Sequence, residues 1–467
     1  MTLRAAMEER ALIPVTLPRE KPTTSYWQDP PAGIADLRST TELPQDADIA
    51  IIGSGISGAC IAYNILTRSP HTKVVILEAR QACSGASGRN GGHTKAASYT
   101  TFATHAAAVG IDEAVKIARL EYDTIKQVHA FAREHSIPCD SRELETVDIV
   151  YDQKAWDESM QTIDAMRKAM GDDDPASKYT LWSGKDAEEK YLCKGAVGAI
   201  TYEAGSINAY KFVIGVLKLS LAKGANLQTG TPVTRITSSP GGSNNKPHWS
   251  ILTPRGQILA SKVVMATNGY TAALYPPLQG RIVPLKGQVT AQRPGVSMPK
   301  DGLAHTYSFV YASGFDYMIP YSQEPRSPGD IVIGGGFTKG RGRGLYEYGA
   351  TDDTTLAPEI SGYLASCTEM FFGDNWGQDS AEGRVRQEWA GIMGYSIDGL
   401  PWVGDIPEEP GLYISASFQG HGMVMCFLCA KALTSILFND DRAPLSTWFP
   451  RAFEVTTARL NQQVRIK

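Results

Sequence analysis

The chain has 467 residues, with 45 lysines and arginines against 49 aspartates and glutamates and a net charge of −4. That length exceeds what one hydrophobic core ordinarily serves and predicts two domains, with segments of one inserted in the other. The mild acidity argues against a phosphate-backbone partner, so nucleic acid is excluded, and 42% hydrophobic with 20% charged residues is the composition of an ordinary soluble protein.

The seven cysteines, Cys60, Cys83, Cys139, Cys193, Cys367, Cys426 and Cys429, are odd in number and scattered. No apolar leader precedes them, so reduced thiols and a cytoplasmic location are expected. Cys426 and Cys429 form a C-x-x-C inside MVMCFLCAKALTSILF. Without a second pair at zinc spacing they read as helix packing, and no metal site is expected. The longest apolar run carries His421 and Lys431, so no membrane span is expected, and Arg465-Ile466-Lys467 does not match the peroxisomal tripeptide.

In chain order, residues 1–46 lack sustained periodicity and read as an arm over the surface. From Asp48, DIAIIGSGISGACIAYNILTRSP reads as a buried strand, a glycine turn, and a helix with Ile56, Ala59, Cys60, Tyr63 and Leu66 at helical spacing. VVILEA is the next strand. Residues 101–195 read as helices, with Ala114, Ile117, Ala118 and Tyr122 sharing one face. GAITYEAGSI is a strand, NAYKFVIGVLKLSLAKGA a helix, and WSILTPRGQILASKVVMATNGY a hairpin leading into a buried strand. Between them, Ser238 to Pro247 is a loop by composition. From Gly280 to Arg343, short β-rich runs predict a mostly antiparallel sheet, a candidate wall for a substrate pocket. Strand-turn-helix texture returns from Glu382. The expected fold is α/β: a Rossmann-like three-layer ββα nucleotide-binding domain from 47–100, 196–279 and 382–440, interleaved with an α+β substrate domain from 101–195 and 280–381. Residues 441–467 form a tail.

Gly53, Gly55 and Gly58 make G-x-G-x-x-G between the first strand and its helix. The first glycine permits the turn, the second admits a pyrophosphate, and the third lets helix and strand approach, while Ile56 and Ser57 open the helix toward the phosphates. Glu78, 25 residues after Gly53, stands at a strand end where a carboxylate binds ribose hydroxyls and repels a 2′-phosphate. That points to FAD or NAD over NADP. Ala79 and Arg80 then lead into CSGASGRNGGHTKAAS, whose bare backbone at Gly85, Ala86, Ser87, Arg89, Asn90, Gly91 and Gly92 can wrap a cofactor closely.

This pairing of tracts resembles the D-amino acid oxidase superfamily of FAD-dependent oxidoreductases, which runs from glycine and sarcosine oxidases to γ-glutamylputrescine oxidase. GASGRNGG and the upstream Ser25-Tyr26-Trp27 look most like the last of these. The resemblance spans about Ser25 to Leu437. It implies FAD, with Val233 near the adenine, Ala266 and Gly269 in a turn on a later strand, and Gly420, His421, Gly422 and Met423 at a helix start aimed at the flavin pyrimidine. Relatives that bind flavin covalently use a histidine or cysteine. The histidine position falls near Arg89, and the cysteine regions, YEYGATDDTT and GGGFTKGRG, hold no cysteine, so non-covalent FAD is expected, with His93 as an exception to check.

Amino acid oxidases of the superfamily hold the substrate carboxylate with an arginine just before the Asp-Gly-x-Pro block; here Met393 precedes Asp398-Gly399-Leu400-Pro401. The expected reaction is oxidation of an amine C–N bond to an imine, with oxygen or another electron acceptor; an α-amino acid oxidase or dehydrogenase is the alternative. Arg341, Arg343, Arg384 and Arg386 are candidate acid binders from another direction. Candidate pocket aromatics are Tyr307, Tyr311, Phe315, Tyr317, Trp389 and Trp402. The candidate catalytic residues are Lys286, His421 and Tyr317.

Overall fold

The computed structural model describes residues 2–239, 248–321 and 329–463. The loop expected at Ser238–Pro247 lies, from Pro240 onward, outside the described residues, as does the terminal tripeptide. Two sheets organise the chain. In the first, the central strand Asp46–Ile52 pairs in parallel with Val74–Leu77 on one side and with Gly256–Met265 on the other. Asn226–Gln228 and Leu412–Ala416 extend it in parallel, and Trp402–Asp405 adds an antiparallel edge. Ile49 to Ile52 and Val74 to Leu77 are buried on both faces, the reason these strands are continuous apolar runs. The helices Ile56–Arg68, Ala209–Ala222 and Cys426–Leu437 cover one face with one shared core. A hairpin of His248–Thr253 and Gly256–Met265 contributes Trp249, Ile251 and Ile258 to the core on the other face. This is the three-layer ββα arrangement. All seven cysteines are free and buried, with Cys426 and Cys429 in the helix core.

The second sheet runs in the order Val385–Ser396, Ile282–Gln292, Ile331–Gly335, Gly314–Pro320, Thr306–Tyr311, Arg142–Val150, Gly198–Ser206 and His93–Thr94. It is antiparallel except between Thr306–Tyr311 and Arg142–Val150. Three of its strands come from segments that sequence position grouped with the nucleotide domain: His93–Thr94, Gly198–Ser206 and Val385–Ser396. Their alternation suits either sheet, and only strand pairing assigns them. The expected helical stretch 101–195 also contains the strand Arg142–Val150. Its helix Ile111–Glu134 buries Ala114, Ile117 and Ala118 as expected, with Tyr122 part-exposed.

The first 46 residues are more than a surface arm. Leu3–Ala11 is a helix, and Ser25–Gln28 is drawn into the interior. Trp27 is 5% exposed and donates to the Asn90 carbonyl at 2.6 Å, while the Ser25 hydroxyl donates to the Gly88 carbonyl at 2.7 Å. A large indole gains more by burial than on a surface, and the glycine tract offers it open backbone.

On the helix Ile111–Glu134, Glu121 is buried, faces Tyr179, and accepts a hydrogen bond from the Ser98 hydroxyl. Burial pushes its pKa up to about 8 from the ordinary 4.5, against the smaller lowering effect of Ser98. The native state therefore keeps a proton that the unfolded chain releases, and the stability this supplies is complete below pH 4.5 and lost as pH rises through about 8. Glu121→Gln is expected to match the wild type in thermal unfolding at acid pH and to exceed it progressively toward the alkaline side. Parallel unfolding curves at every pH would contradict this.

Candidate active site

The glycine turn is built as the nucleotide motif requires. Gly53 has φ +106°, and a Cβ there would lie 2.5 Å from the Ala266 carbonyl oxygen. At Gly58 a Cβ would lie 2.0 Å from the Gly53 oxygen, so helix and strand touch through bare backbone. The Glu78 carboxylate is folded onto this turn, accepting from the Ser54 hydroxyl at 2.6 Å, the Ser54 amide at 3.1 Å and the Arg80 amide at 3.0 Å. Ala79 follows, part-exposed. Ala266 donates to the Ile52 carbonyl at 2.9 Å, and Val233 is buried on the same sheet's core.

The second tract meets the first at the helix start. The Ser87 hydroxyl accepts from the Ile56 amide at 2.9 Å and stands 3.1 Å from where a Gly55 Cβ would be. Gly85 opens a short turn through Ala86 and Ser87. Asn90 spans the next bend, accepting from the Gly92 amide at 2.7 Å. A Cβ at Gly91 would strike the Tyr317 ring at 2.5 Å, and Gly92, at φ +78°, runs against the Ile207 carbonyl.

Arg80 and Arg89 do not point their guanidinium groups along this groove. Arg80 pairs with the fully buried Asp353 at 2.9 Å. Arg89 donates to the carbonyls of Ser84 at 2.7 Å, Thr23 at 2.6 Å and Ala390 at 2.8 Å, with Asp353 4.0 Å away. Burial is the main reason its pKa falls to about 10, and Asp353 opposes that fall. What these arginines supply is the shape of the tract. Beside them the Tyr270 hydroxyl is buried without a hydrogen-bond partner, within electrostatic reach of Asp353, Arg80, Arg89 and Glu78. The residues present fit FAD: a cradle that a Cβ at Gly53, Gly58, Gly91 or Gly92 would obstruct, a carboxylate at its floor, and an unmet phenol at its side.

At the far end, Gly269 packs against the Met393 carbonyl, where a Cβ would lie 2.3 Å from the oxygen. Gly420 has φ +77°, and a Cβ there would meet the Tyr395 hydroxyl at 2.9 Å and the Met393 sulfur at 3.6 Å. The helix expected to open at Gly422 begins later. Gly422 to Val424 is a 3-10 turn containing Met423, and the α-helix starts at Cys426, because the Val424 and Met425 amides are turned back onto the His421 and Gly422 carbonyls.

His93, Lys95, Tyr317, Tyr395 and His421 each keep accessible surface, yet burial is the first cause of each one's pKa shift. Cβ atoms at Gly91 and Gly420 would meet Tyr317 and, in turn, Tyr395 and Met393, which places these side chains beside the glycine segments expected to hold FAD. His421 is pushed down to about 4 by burial, then by Lys95 and His105, so its imidazole is neutral at physiological pH. His93 is lowered the same way, by burial, Lys95 and His421, with its Nε2 2.7 Å from the Thr306 hydroxyl. Tyr395 is pushed up to about 12 by burial, and Tyr317 rises for the same reason with help from Tyr395 and Asp316.

Strand register sorts the remaining candidates. Tyr317, Gly334 and Val289 stand opposite one another on one face, so Lys286, an odd number of residues from Val289, lies on the other. There it pairs with Glu347 at 3.2 Å, and its expected place beside the pocket gives way to a buried ion pair. Tyr307 is likewise turned into the core behind the sheet, Tyr311 bonds Asp316, and Phe315 is exposed. Trp389 is buried beside the tract and donates to the Arg89 carbonyl at 2.7 Å, whereas Trp402 belongs to the core of the first sheet. Arg384 and Arg386 are held by Asp379 and Asp330, and Arg341 and Arg343 are exposed. Sequence reasoning missed Lys95 and Tyr395, since nothing in their spacing distinguishes them from ordinary strand residues.

The fold and this cradle together define an FAD-dependent oxidoreductase. Residues 48–436 match the family model described as DAO, FAD dependent oxidoreductase, and the chain belongs to that family. It is 23% identical to the probable oxidoreductase OrdL of Rhizobium meliloti over 82% of this chain and 81% of the relative. It is 20% identical to the gamma-glutamylputrescine oxidoreductase of Escherichia coli, covering 84% of each. Its fold matches the crystal structure of glycine oxidase from Geobacillus kaustophilus with a TM-score of 0.67, at 19% identity, over 88% of this chain and 99% of that one. No helix among the described residues is long and apolar enough to cross a membrane.

Proposed function

We propose that this chain oxidises the C–N bond of an amine to an imine with non-covalently held FAD and dioxygen as acceptor. Gly53, Gly55 and Gly58, with the helix start at Ile56 and Ser57, would hold the pyrophosphate; Glu78 would hold the ribose, and Val233 the adenine. Ala266, Gly269, the tract from Gly85 to Gly92, and Gly420 to Met423 would enclose the rest. When bound, FAD supplies the two-electron acceptor for the C–H bond beside the nitrogen. The protein's own part is positioning and exclusion of water. Trp27 and Trp389 seal the tract, and Tyr317 and Tyr395 stand against Gly91 and Gly420. His421 stays neutral beside a neutral amine.

The observation that carries the choice of amine is Met393. Its thioether stands beside Tyr395 and Gly420, where an α-amino acid would need an arginine fork. The relative named for gamma-glutamylputrescine supports the same reading.

Anaerobic mixing with polyamines, N-methyl amines and α-amino acids is the test. Amines are expected to bleach the flavin at least about tenfold faster than α-amino acids, with peroxide released on admitting air. Bleaching by α-amino acids alone would move the substrate to that class, and bleaching by none would remove the enzymatic reading. Acid precipitation of the same sample is expected to leave the yellow colour in the supernatant.

A further inference from the structure

From Cys83 to Gly92, every backbone carbonyl of the glycine tract accepts a hydrogen bond from the protein itself. The amides are not matched in this way. Those of Gly85, Ala86, Ser87, Asn90 and Gly91 have no acceptor among the described residues. A tract that consumes its acceptors and keeps its donors offers hydrogen-bond donors alone to whatever lies against it.

The side chains that create this polarity are identifiable peptide by peptide. In a trans peptide the carbonyl and the next residue's N–H lie in one plane and point in opposite directions, and the cis bond found among the described residues is at Asp29-Pro30, outside the tract. A donor on a carbonyl therefore fixes the direction of the amide that follows. The Trp27 indole donates to the Asn90 carbonyl at 2.6 Å and so fixes the Gly91 amide. The Trp389 indole donates to the Arg89 carbonyl at 2.7 Å and so fixes the Asn90 amide. The two indole rings are 6.5 Å apart, and Trp27 is held edge-on by Tyr26 at 5.3 Å and Tyr321 at 4.9 Å. Ser25, from the same segment of the arm, differs. Its hydroxyl caps the Gly88 carbonyl, but the amide of that peptide, from Arg89, is already bonded to the Ala86 carbonyl.

We propose that Trp27 and Trp389 are positioning residues for the flavin: through the Asn90 and Arg89 carbonyls they aim the Gly91 and Asn90 amides at acceptor atoms of the ring. Donors placed there stabilise the electron-rich reduced ring and raise its reduction potential. The arm that carries Trp27 is thereby part of the redox site. This rests on the placement of FAD against the tract proposed above, and not on the choice of amine.

The reduction potential of the bound flavin, measured by equilibration with a reference dye and without substrate, is the test. Trp27→Phe keeps an aromatic ring among Tyr26, Tyr321 and Trp389 and removes the N–H donor; Trp389→Phe does the same for the neighbouring peptide. In each, the preference of the site for reduced over oxidised flavin is expected to fall about tenfold, which lowers a two-electron potential by about 30 mV. Ser25→Ala removes a hydrogen bond from the same arm that aims no free amide. It is expected to melt lower than the wild type, as the tryptophan variants do, with its potential unchanged. Where a variant holds FAD too weakly for dye equilibration, the ratio of its dissociation constants for oxidised and reduced FAD reads the same quantity. A potential unmoved in both tryptophan variants, or moved equally in Ser25→Ala, overturns the proposal, because a merely structural role predicts one or the other. If Gly58→Val retains its flavin, the placement of FAD falls and the role of the indoles with it. If no amine bleaches the flavin while the potentials still shift, the oxidation reading falls and the positioning role stands.

Discussion

Gly58→Val is expected to yield protein without bound flavin. The new Cβ would start 2.0 Å from the Gly53 carbonyl oxygen and 3.3 Å from the Ile51 side chain, and the first of these is backbone that cannot swing away. The helix Ile56–Arg68 must then retreat from the strand Asp46–Ile52, carrying the Ile56 amide off the Ser87 hydroxyl and opening the join between the two glycine tracts. Overpacking of this kind costs about 1–3 kcal/mol of stability. Loss of the phosphate cradle is expected to weaken FAD by at least about 100-fold, or roughly 2.8 kcal/mol. The ratio of flavin to protein absorbance in the purified variant measures it directly. Gly362→Ala is the control, because Gly362 lies on the helix Pro358–Phe372 outside the cradle and a Cβ there meets nothing within 4 Å. It should retain flavin like the wild type, and equal loss in both variants would show that general fragility of the fold, not the helix-strand contact, is responsible.

Asp353→Asn is expected to be the most destabilising single change at the other side of the tract. Asp353 is fully buried between Arg80, 10% exposed, and Arg89, 2% exposed. Removing one partner of a buried pair leaves an uncompensated charge in the interior, at about 3–5 kcal/mol. Here the Asn leaves two such charges, and Arg89 has its other N–H groups committed to the carbonyls of Ser84, Thr23 and Ala390. The denaturant midpoint should fall without a change in slope, and FAD should dissociate at lower denaturant than the wild type requires. A fall in stability of under about 1 kcal/mol would show that water reaches the pair and screens it.

The two expectations concern residues of unequal legibility in the linear pattern. Gly58 is legible because a glycine at fixed spacing after a strand has one mechanical explanation. Arg89 was legible only as a member of the tract, and its partner Asp353 was not legible at all, lying 264 residues further along the chain. Lys286 shows the opposite failure. A lysine in a β-rich run looks available to a pocket, but alternation along the strand turns it to Glu347, away from Tyr317.

The nucleotide-binding class of this protein was decided by the sequence alone: local backbone demands at Gly53 and Gly58, and the acid at Glu78, follow from spacing within one strand-turn-helix-strand unit. The three-layer fold is what the family resemblance carried by these tracts implies. The tertiary structure alone decided which side chains meet, since Tyr317 stands against Gly91, and Tyr395 and Met393 against Gly420, from segments far apart in sequence, with strand register setting the face that Tyr317 and Tyr395 take. It also decided where the strands His93–Thr94, Gly198–Ser206 and Val385–Ser396 belong, because pairing partners distant in sequence leave no trace in the periodicity of either strand.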